Sequence, residues 1–322
     1  MPPTATTVIP HVTRLLHEHY VFPDVAAQLD TVLTAGLAEG RYANADQAGL
    51  AELVTADLQS VNSDLHLRLK FSEIELSDTH DDEATQIRQM AEWSDLTCGG
   101  VAHAQRLPGN IGLLKIAPLL FPPVVAGDKI SAAMNLLAAT DALIIDLREC
   151  LGGDPLMVAL AYSYLTGHEP VQLTGMAHRD PADFKQLWTS HVPGAKFGPD
   201  KPVWVLTSKT TFSGGEALSF DLQENGRAVV MGERTRGGAH PREGFRVASH
   251  LEVTIPTARS VSPISGGNWE GTGVTPDVPT TAAEALPEAN RRALEAVLAL
   301  GTEGLRRQFA DEAAQALRDL TA

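Results

Sequence analysis

Cysteine is scarce in this chain: 322 residues hold only two, Cys98 and Cys150. At most one disulfide can form, and a four-cysteine zinc site is excluded. No run of 18 apolar residues occurs, so no transmembrane helix is expected. The start, Met1-Pro2-Pro3-Thr4, lacks the basic and apolar regions of a secretory leader. The expected location is therefore the cytoplasm. Basic side chains are in deficit, with 25 Lys and Arg against 40 Asp and Glu and a formal net charge of -15. Such a chain repels phosphate backbones and anionic membranes. Neither nucleic acid nor membrane is an expected partner, and neutral or basic substrates are favoured. No Gly-Lys-Ser or Gly-Lys-Thr phosphate loop is present, which argues against a nucleotide site.

What is present is a composition that folds. Hydrophobic residues make up 43%, and the 20% that are charged are spread along the chain. At roughly 150 residues per domain, the length suggests about two domains. Ile9, Val12, Leu15, Leu16 and Tyr20 fall at helical spacing and stop at Pro23. Val25, Leu29, Val32, Leu33 and Leu37 give a second helix, and Leu50, Leu53, Val54 and Leu58 a third. Residues 1–62 thus read as an N-terminal helical bundle. His66-Leu67-Arg68-Leu69-Lys70-Phe71 alternates like a strand, and the acidic stretch 76–95 reads as a surface loop or helix.

Residues 63–286 read as an α/β core. Strands are expected at Ile111–Ile116, Ala142–Leu147, Val203–Thr207 and Ala228–Met231, with helices over 125–139, 155–165 and 214–225 between them. Continuous apolar runs such as Ala142-Leu143-Ile144-Ile145 suit buried parallel strands. Residues 287–322 read as two closing helices that pack on the core.

In open α/β sheets, ligands gather beyond the C-terminal ends of the strands. Three of those ends are chemically unusual. Gly152-Gly153 follows the strand ending at Leu147, Ser213-Gly214-Gly215-Glu216 links a strand to a helix, and the glycine-rich Gly232–Pro241 follows the strand ending at Met231. A serine there suits a nucleophile, because glycines admit a substrate carbonyl and a helix N-terminus offers free N–H groups to an oxyanion. Ser213 with Glu216 three residues on is equally a capping-box signature, and an ordinary cap is the simpler reading of that pattern alone. A serine nucleophile also needs a base. His11, His17 and His19 read as solvated helix residues. His66 follows Asp64 at the start of a strand, and His240 lies in a glycine-rich loop.

These segments together resemble the C-terminal-processing (tail-specific) serine peptidases, in the branch with the interphotoreceptor retinoid-binding protein modules. The carrying residues are Ile111–Ile116, Asp146-Leu147-Arg148 with Gly152-Gly153, Thr211-Phe212-Ser213-Gly214-Gly215-Glu216, Gly232–Pro241 and Asn268–Asp277. Five motifs in one order, over about residues 60–280, make the resemblance specific. It implies a crotonase-like core of β-β-α units with Ser213 as nucleophile. It also implies an oxyanion hole from Gly152 or Gly153 with Gly214.

Two departures from the family pattern stand out. The processing peptidases place a lysine base about 25 residues after the serine, where this chain has Gly238. Lys209 is near in sequence but precedes the serine. About 40 residues separate His66 from Gly109, too few for the family's PDZ domain. The tricorn branch offers a different base: His66 matches its histidine and Glu270 its supporting glutamate. The serine that precedes that histidine is replaced here by Leu65, so the bridge to Glu270 is missing. His240 is the alternative base.

The resemblance implies an acyl-transferring serine hydrolase that acts on a peptide or small acyl substrate without metal or cofactor. The sequence leaves a homo-oligomer open. Two rival readings share the fold: a hydrophobic-ligand (retinoid-like) binding module, and a biosynthetic acyl hydrolase or cyclase.

Overall fold

The computed structural model describes residues 4–76 and 83–321. In chain order the helices are α1 (Ala5–His19), α2 (Pro23–Ala38), α3 (Gln47–Gln59), α4 (Glu83–Leu96), α5 (Pro123–Leu137), α6 (Pro155–Ser163), α7 (Gly214–Glu224), α8 (Ala282–Ala299) and α9 (Arg306–Thr321). The strands are β1 (Arg68–Phe71), β2 (Val101–Leu107), β3 (Ile111–Ile116), β4 (Ala142–Asp146), β5 (Gln172–His178), β6 (Phe184–Trp188), β7 (Val203–Thr207) and β8 (Val229–Gly232), followed by β9 (Arg242–Ala248), β10 (Leu251–Pro256), β11 (Ala258–Val261) and β12 (Val278–Pro279). No helix among the described residues is long and apolar enough to cross a membrane.

The chain divides into two compact units. The first comprises the described part of Met1–Gln86 with Gly175–Lys185 and Gly238–Val261. Its helices form where the apolar spacing predicts them. Val8, Ile9, Val12, Leu15 and Leu16 make the buried stripe of α1. Pro23 occupies the first turn of α2, where its missing N–H costs nothing. Asp46 caps α3 by accepting the Gly49 N–H at 2.8 Å. The helices do not close a core among themselves. They share one with the antiparallel sheet β1-β10-β9, through Leu67, Leu69, Phe245, Leu251, Val253 and Ile255. Three short helices leave apolar surface that a sheet face can cover. Strand β1 is shorter than the alternation suggests, because His66 and Leu67 lie in a turn closed by Leu67 N–H on the Asp64 carbonyl. Residues 77–82 of the acidic stretch lie outside the described residues, and α4 follows them.

The second unit comprises Ile87–Thr174, Gln186–Gly237 and the described part of Ser262–Ala322. Its centre is a six-stranded mixed sheet in the order β12-β8-β7-β4-β3-β2. All neighbours run parallel except β2, which is antiparallel to β3 at one edge. Every residue of β4 and β7 is buried, as their continuous apolar runs require. One face, from Ile111, Ile144, Trp204 and Met231, packs on Ala285, Ala289, Ala293 and Leu294 of α8. Helices α5, α6 and α7 lie in the connections between the parallel strands, and such connections are right-handed as a rule. Helix α8 begins at Ala282, five residues before the Pro287 boundary expected from sequence, because Thr281 and Glu284 form a capping box there.

Candidate active site

In the second unit, two loops leave the C-terminal ends of the adjacent parallel strands β4 and β7. The loops are stitched together by hydroxyls. Thr211 donates to the Leu147 carbonyl at 2.9 Å, and Ser208 and Thr210 donate to the Arg148 carbonyl at 2.6 and 2.7 Å. Arg148 is fixed in turn by a two-pronged pairing with Asp146 at 2.8 and 2.7 Å. The Phe212 N–H donates to the Cys150 carbonyl at 3.0 Å. The Cys150 thiol lies under both loops, fully buried, and burial pushes its pKa up to about 11. It stays a neutral thiol and is no nucleophile.

Ser213 stands at the end of the second loop as the N-cap of α7, with φ 51° and ψ -116°. A non-glycine residue held there costs on the order of 1–3 kcal/mol and persists only where its surroundings impose it. The surroundings here are specific. Glu216 is wholly buried and its carboxylate accepts the Ser213 N–H at 2.8 Å, forming the capping box legible in the sequence. The same carboxylate accepts the Thr235 hydroxyl at 2.5 Å and the Gly237 N–H at 2.6 Å.

The glycine loop lies directly against this elbow. The Leu120 N–H donates to the Gly152 carbonyl at 2.9 Å, and the Asp154 N–H donates to the Leu120 carbonyl at 2.8 Å. This is one parallel bridge. Because backbone groups alternate in direction along an extended chain, the Gly153 N–H faces away from Leu120, towards α7. A methyl group on Gly214 would stand 2.8 Å from the Gly153 nitrogen, and one on Gly152 would stand 3.5 Å from Ser213 Oγ. Gly153 itself has φ 140°, and a Cβ there would meet the Leu120 carbonyl at 2.2 Å. Only glycine fits at such a position. Among the described residues, the N–H groups of Gly153 and Gly214 donate to no protein acceptor, while the Gly152 N–H lies against the buried Cys150 sulfur. Charge developing on an oxygen beside Ser213 would find the first two ready to donate.

Glu270 lies in the same unit, half-buried in the loop after Trp269, with its N–H on Asn268 Oδ1 at 2.9 Å. Trp269 packs against Phe220 of α7, ring centroids 5.0 Å apart. The Lys209 side chain is 81% exposed and faces Glu233 at 3.5 Å, so it is turned to solvent.

The candidate bases belong to the first unit and share one carboxylate. Asp64 is fully buried. It accepts the His66 N–H at 3.0 Å, the Tyr20 hydroxyl at 3.1 Å and His240 Nδ1 at 2.9 Å. Asn62 donates to the Tyr20 oxygen at 2.6 Å, which directs the phenol proton at Asp64. Burial by itself would raise the Asp64 carboxyl, but the hydrogen bond and charge of His240 outweigh it and hold it below its ordinary value. His66 is 5% exposed, and burial, with smaller contributions from Arg242, His240 and Arg68 against the opposing charge of Asp64, lowers its pKa to about 3. Its imidazole is therefore neutral at physiological pH and able to accept a proton. The Asp64–His240 link spans 176 positions of sequence, and nothing in the local pattern announces it. Glu216 is visible in sequence only as a capping residue.

The chain is similar to several known proteins. Residues 3–97 match the N-terminal domain of Peptidase_S41 in eukaryotic IRBP. Carboxyl-terminal-processing peptidase 2, chloroplastic, of Arabidopsis thaliana is 28% identical over 140 residues, which are 43% of this chain and 26% of that protein. The match thus spans about a quarter of that relative's length. A lipoprotein from Streptococcus agalactiae superposes with a TM-score of 0.60 at 15% identity, covering 92% of this chain and 98% of that one. The tricorn protease superposes with a TM-score of 0.59 at 12% identity, over 92% of this chain and 37% of that one. Identities this low show a shared fold. Residues 110–280, more than half of the sequence and including both glycine loops, Ser213 and Glu270, match Peptidase family S41, and the chain belongs to that family.

Proposed function

We propose that this protein is a serine peptidase or related acyl hydrolase, with Ser213 as nucleophile and His66 as general base. The observation that carries this reading is the backbone of Ser213. It holds a strained conformation, φ 51° and ψ -116°, beside the Gly153 and Gly214 N–H groups, which no protein acceptor among the described residues uses. A plain helix cap has no need of either feature.

In the proposed reaction Ser213 Oγ attacks the carbonyl carbon of the substrate, and the hydroxyl proton passes to His66. The carbonyl oxygen becomes an oxyanion received by the N–H groups of Gly153 and Gly214, with Gly152 as a further donor. The C–N bond breaks, and His66 returns its proton to the leaving amine. Water, deprotonated by the same histidine, then releases the acyl group and restores the Ser213 hydroxyl. The negative charge of Asp64 favours the transient imidazolium. Glu270 has the supporting role that its position in the family pattern suggests, and His240 is the alternative base. A crotonase-like core fits the order β2-β3-α5, an antiparallel pair followed by a helix and a parallel strand.

A second reading, a binding module for hydrophobic ligands, draws on the match of residues 3–97 to the domain named for IRBP. A fluorophosphonate probe separates the two. The hydrolase reading expects covalent labelling of the wild-type protein at Ser213, located by peptide mass spectrometry, and none of Ser213→Ala. An unlabelled, folded wild-type protein would overturn it in favour of the binding module.

A further inference from the structure

We infer that Glu216 is a positioning residue for the reaction. It holds Ser213 in its strained conformation and sets the loops bearing Gly237 and Glu270 in register with it. The inference rests on Ser213 being the nucleophile.

Donors from three residues converge on this buried side chain. Ser213 N–H reaches Oε2 at 2.8 Å, while the Thr235 hydroxyl and Gly237 N–H reach Oε1 at 2.5 and 2.6 Å. The direction of the Thr235 bond is fixed independently, because Thr235 Oγ1 accepts the Val274 N–H at 2.7 Å and its own proton is left for Glu216. An ionised carboxylate can accept at both oxygens, and Glu216 accepts at both. A helix cap needs one of these bonds. The other two run to a different loop.

That loop leads on to Glu270. The Thr235 N–H donates to the Val274 carbonyl at 3.2 Å, and the Gly271 N–H donates to the Gly237 carbonyl at 3.1 Å. Gly273 N–H closes the turn on the Trp269 carbonyl at 2.9 Å. A single carboxylate therefore ties the nucleophile's own amide to the strap carrying Thr235 and Gly237. Through Thr235, it also ties that amide to the turn carrying Glu270. A misplacement near 1 Å in such a frame costs on the order of a hundredfold in rate.

Glutamine cannot reproduce this pattern. It has one accepting oxygen, so its NH₂ must face either the Ser213 N–H or the pair at Thr235 and Gly237. The test compares wild type, Glu216→Gln, Thr235→Val and Thr235→Ser. It measures the rate of fluorophosphonate labelling at Ser213, kcat and KM on a peptide substrate, and the thermal midpoint. Glu216→Gln should label roughly 10- to 100-fold more slowly, with kcat falling in parallel and KM within about threefold of wild type. Thr235→Val, which loses only the relay hydroxyl, should lose roughly tenfold in kcat, and Thr235→Ser should restore most of it. If Glu216→Gln folds and labels at the wild-type rate, Glu216 is only a helix cap and the inference fails while the hydrolase reading stands. If Glu216→Gln does not fold, the Thr235 pair decides, and equal kcat in its two variants overturns the inference. An unlabelled wild type overturns the hydrolase reading and this inference with it.

Discussion

The fully buried carboxylate of Asp64 accepts a hydrogen bond from Nδ1 of His240 at 2.9 Å. The two residues lie 176 positions apart, on the loops that precede β1 and β9. Those strands flank β10 in one sheet, which explains how so distant a pair can meet. The same carboxylate receives His66 N–H and Tyr20 OH, so both candidate bases are oriented from one point. Replacing Asp64 by Asn would turn an NH₂ towards one of these donors. The expected loss is about 1–3 kcal/mol of stability, the cost of a buried group left unsatisfied. Urea unfolding checks it, and an unchanged midpoint would show that the cluster is not a tight one.

Under the proposed mechanism, the lowered pKa of His66 sets the pH dependence of activity. A histidine with an ordinary value near 6.5 loses its basic form below that pH. His66, at about 3, keeps it well into acid. With His66 as base, kcat/KM should show no acid limb near pH 6.5 and should hold from pH 8 to about pH 5. His66→Ala should reduce turnover on the order of 10²–10⁴-fold. Turnover that survives in His66→Ala and is lost in His240→Ala would assign the proton transfer to His240 instead.

Gly214 is a sensitive position of the proposed oxyanion hole. Alanine is a better helix former than glycine, yet its methyl would stand 2.8 Å from both the nitrogen and the oxygen of Gly153. The glycine loop must shift to admit it. Gly214→Ala should therefore lower kcat on the order of 10²–10³-fold while leaving the helix intact. Steady-state kinetics with circular dichroism tests this, and a wild-type kcat would remove the Gly153 and Gly214 pair from the mechanism.

A buried carboxyl on the same helix gives a stability prediction. Asp221 is pushed up to about 6 by burial, against the opposing hydrogen bonds from the Thr174 N–H and hydroxyl at 3.0 and 2.6 Å. Its folded value exceeds its unfolded value of 3.8. The protonated form therefore favours the fold, and stability from this group falls as pH rises from about 4 to about 6. Asp221→Asn keeps an oxygen for Thr174 and removes the charge. Its thermal midpoint should exceed that of wild type most clearly above pH 6, with the gain shrinking towards pH 4. A gain independent of pH would contradict the burial argument.

Much of this protein is written locally. Helices α1 to α3 follow from apolar residues at helical spacing, and β4 and β7 from unbroken apolar runs, because a segment buried on one stripe or on both faces must carry that pattern. The Ser213–Glu216 elbow and the Gly152-Gly153 pair are legible for a similar reason: a strand-to-helix turn at close backbone approach admits few residue types. Other elements carry no such mark. Strands β2, β5, β6 and β9 show no period-two alternation of buried and exposed positions, since their place is set by the partner strand rather than by their own sequence. The polar contacts are further from local reach. Asp64 meets His240, and Glu216 meets Thr235 and Gly237, because the fold removes these groups from water and brings them together. A buried carboxylate must gather donors from wherever the chain brings them, and which ones it gathers is decided by tertiary structure alone.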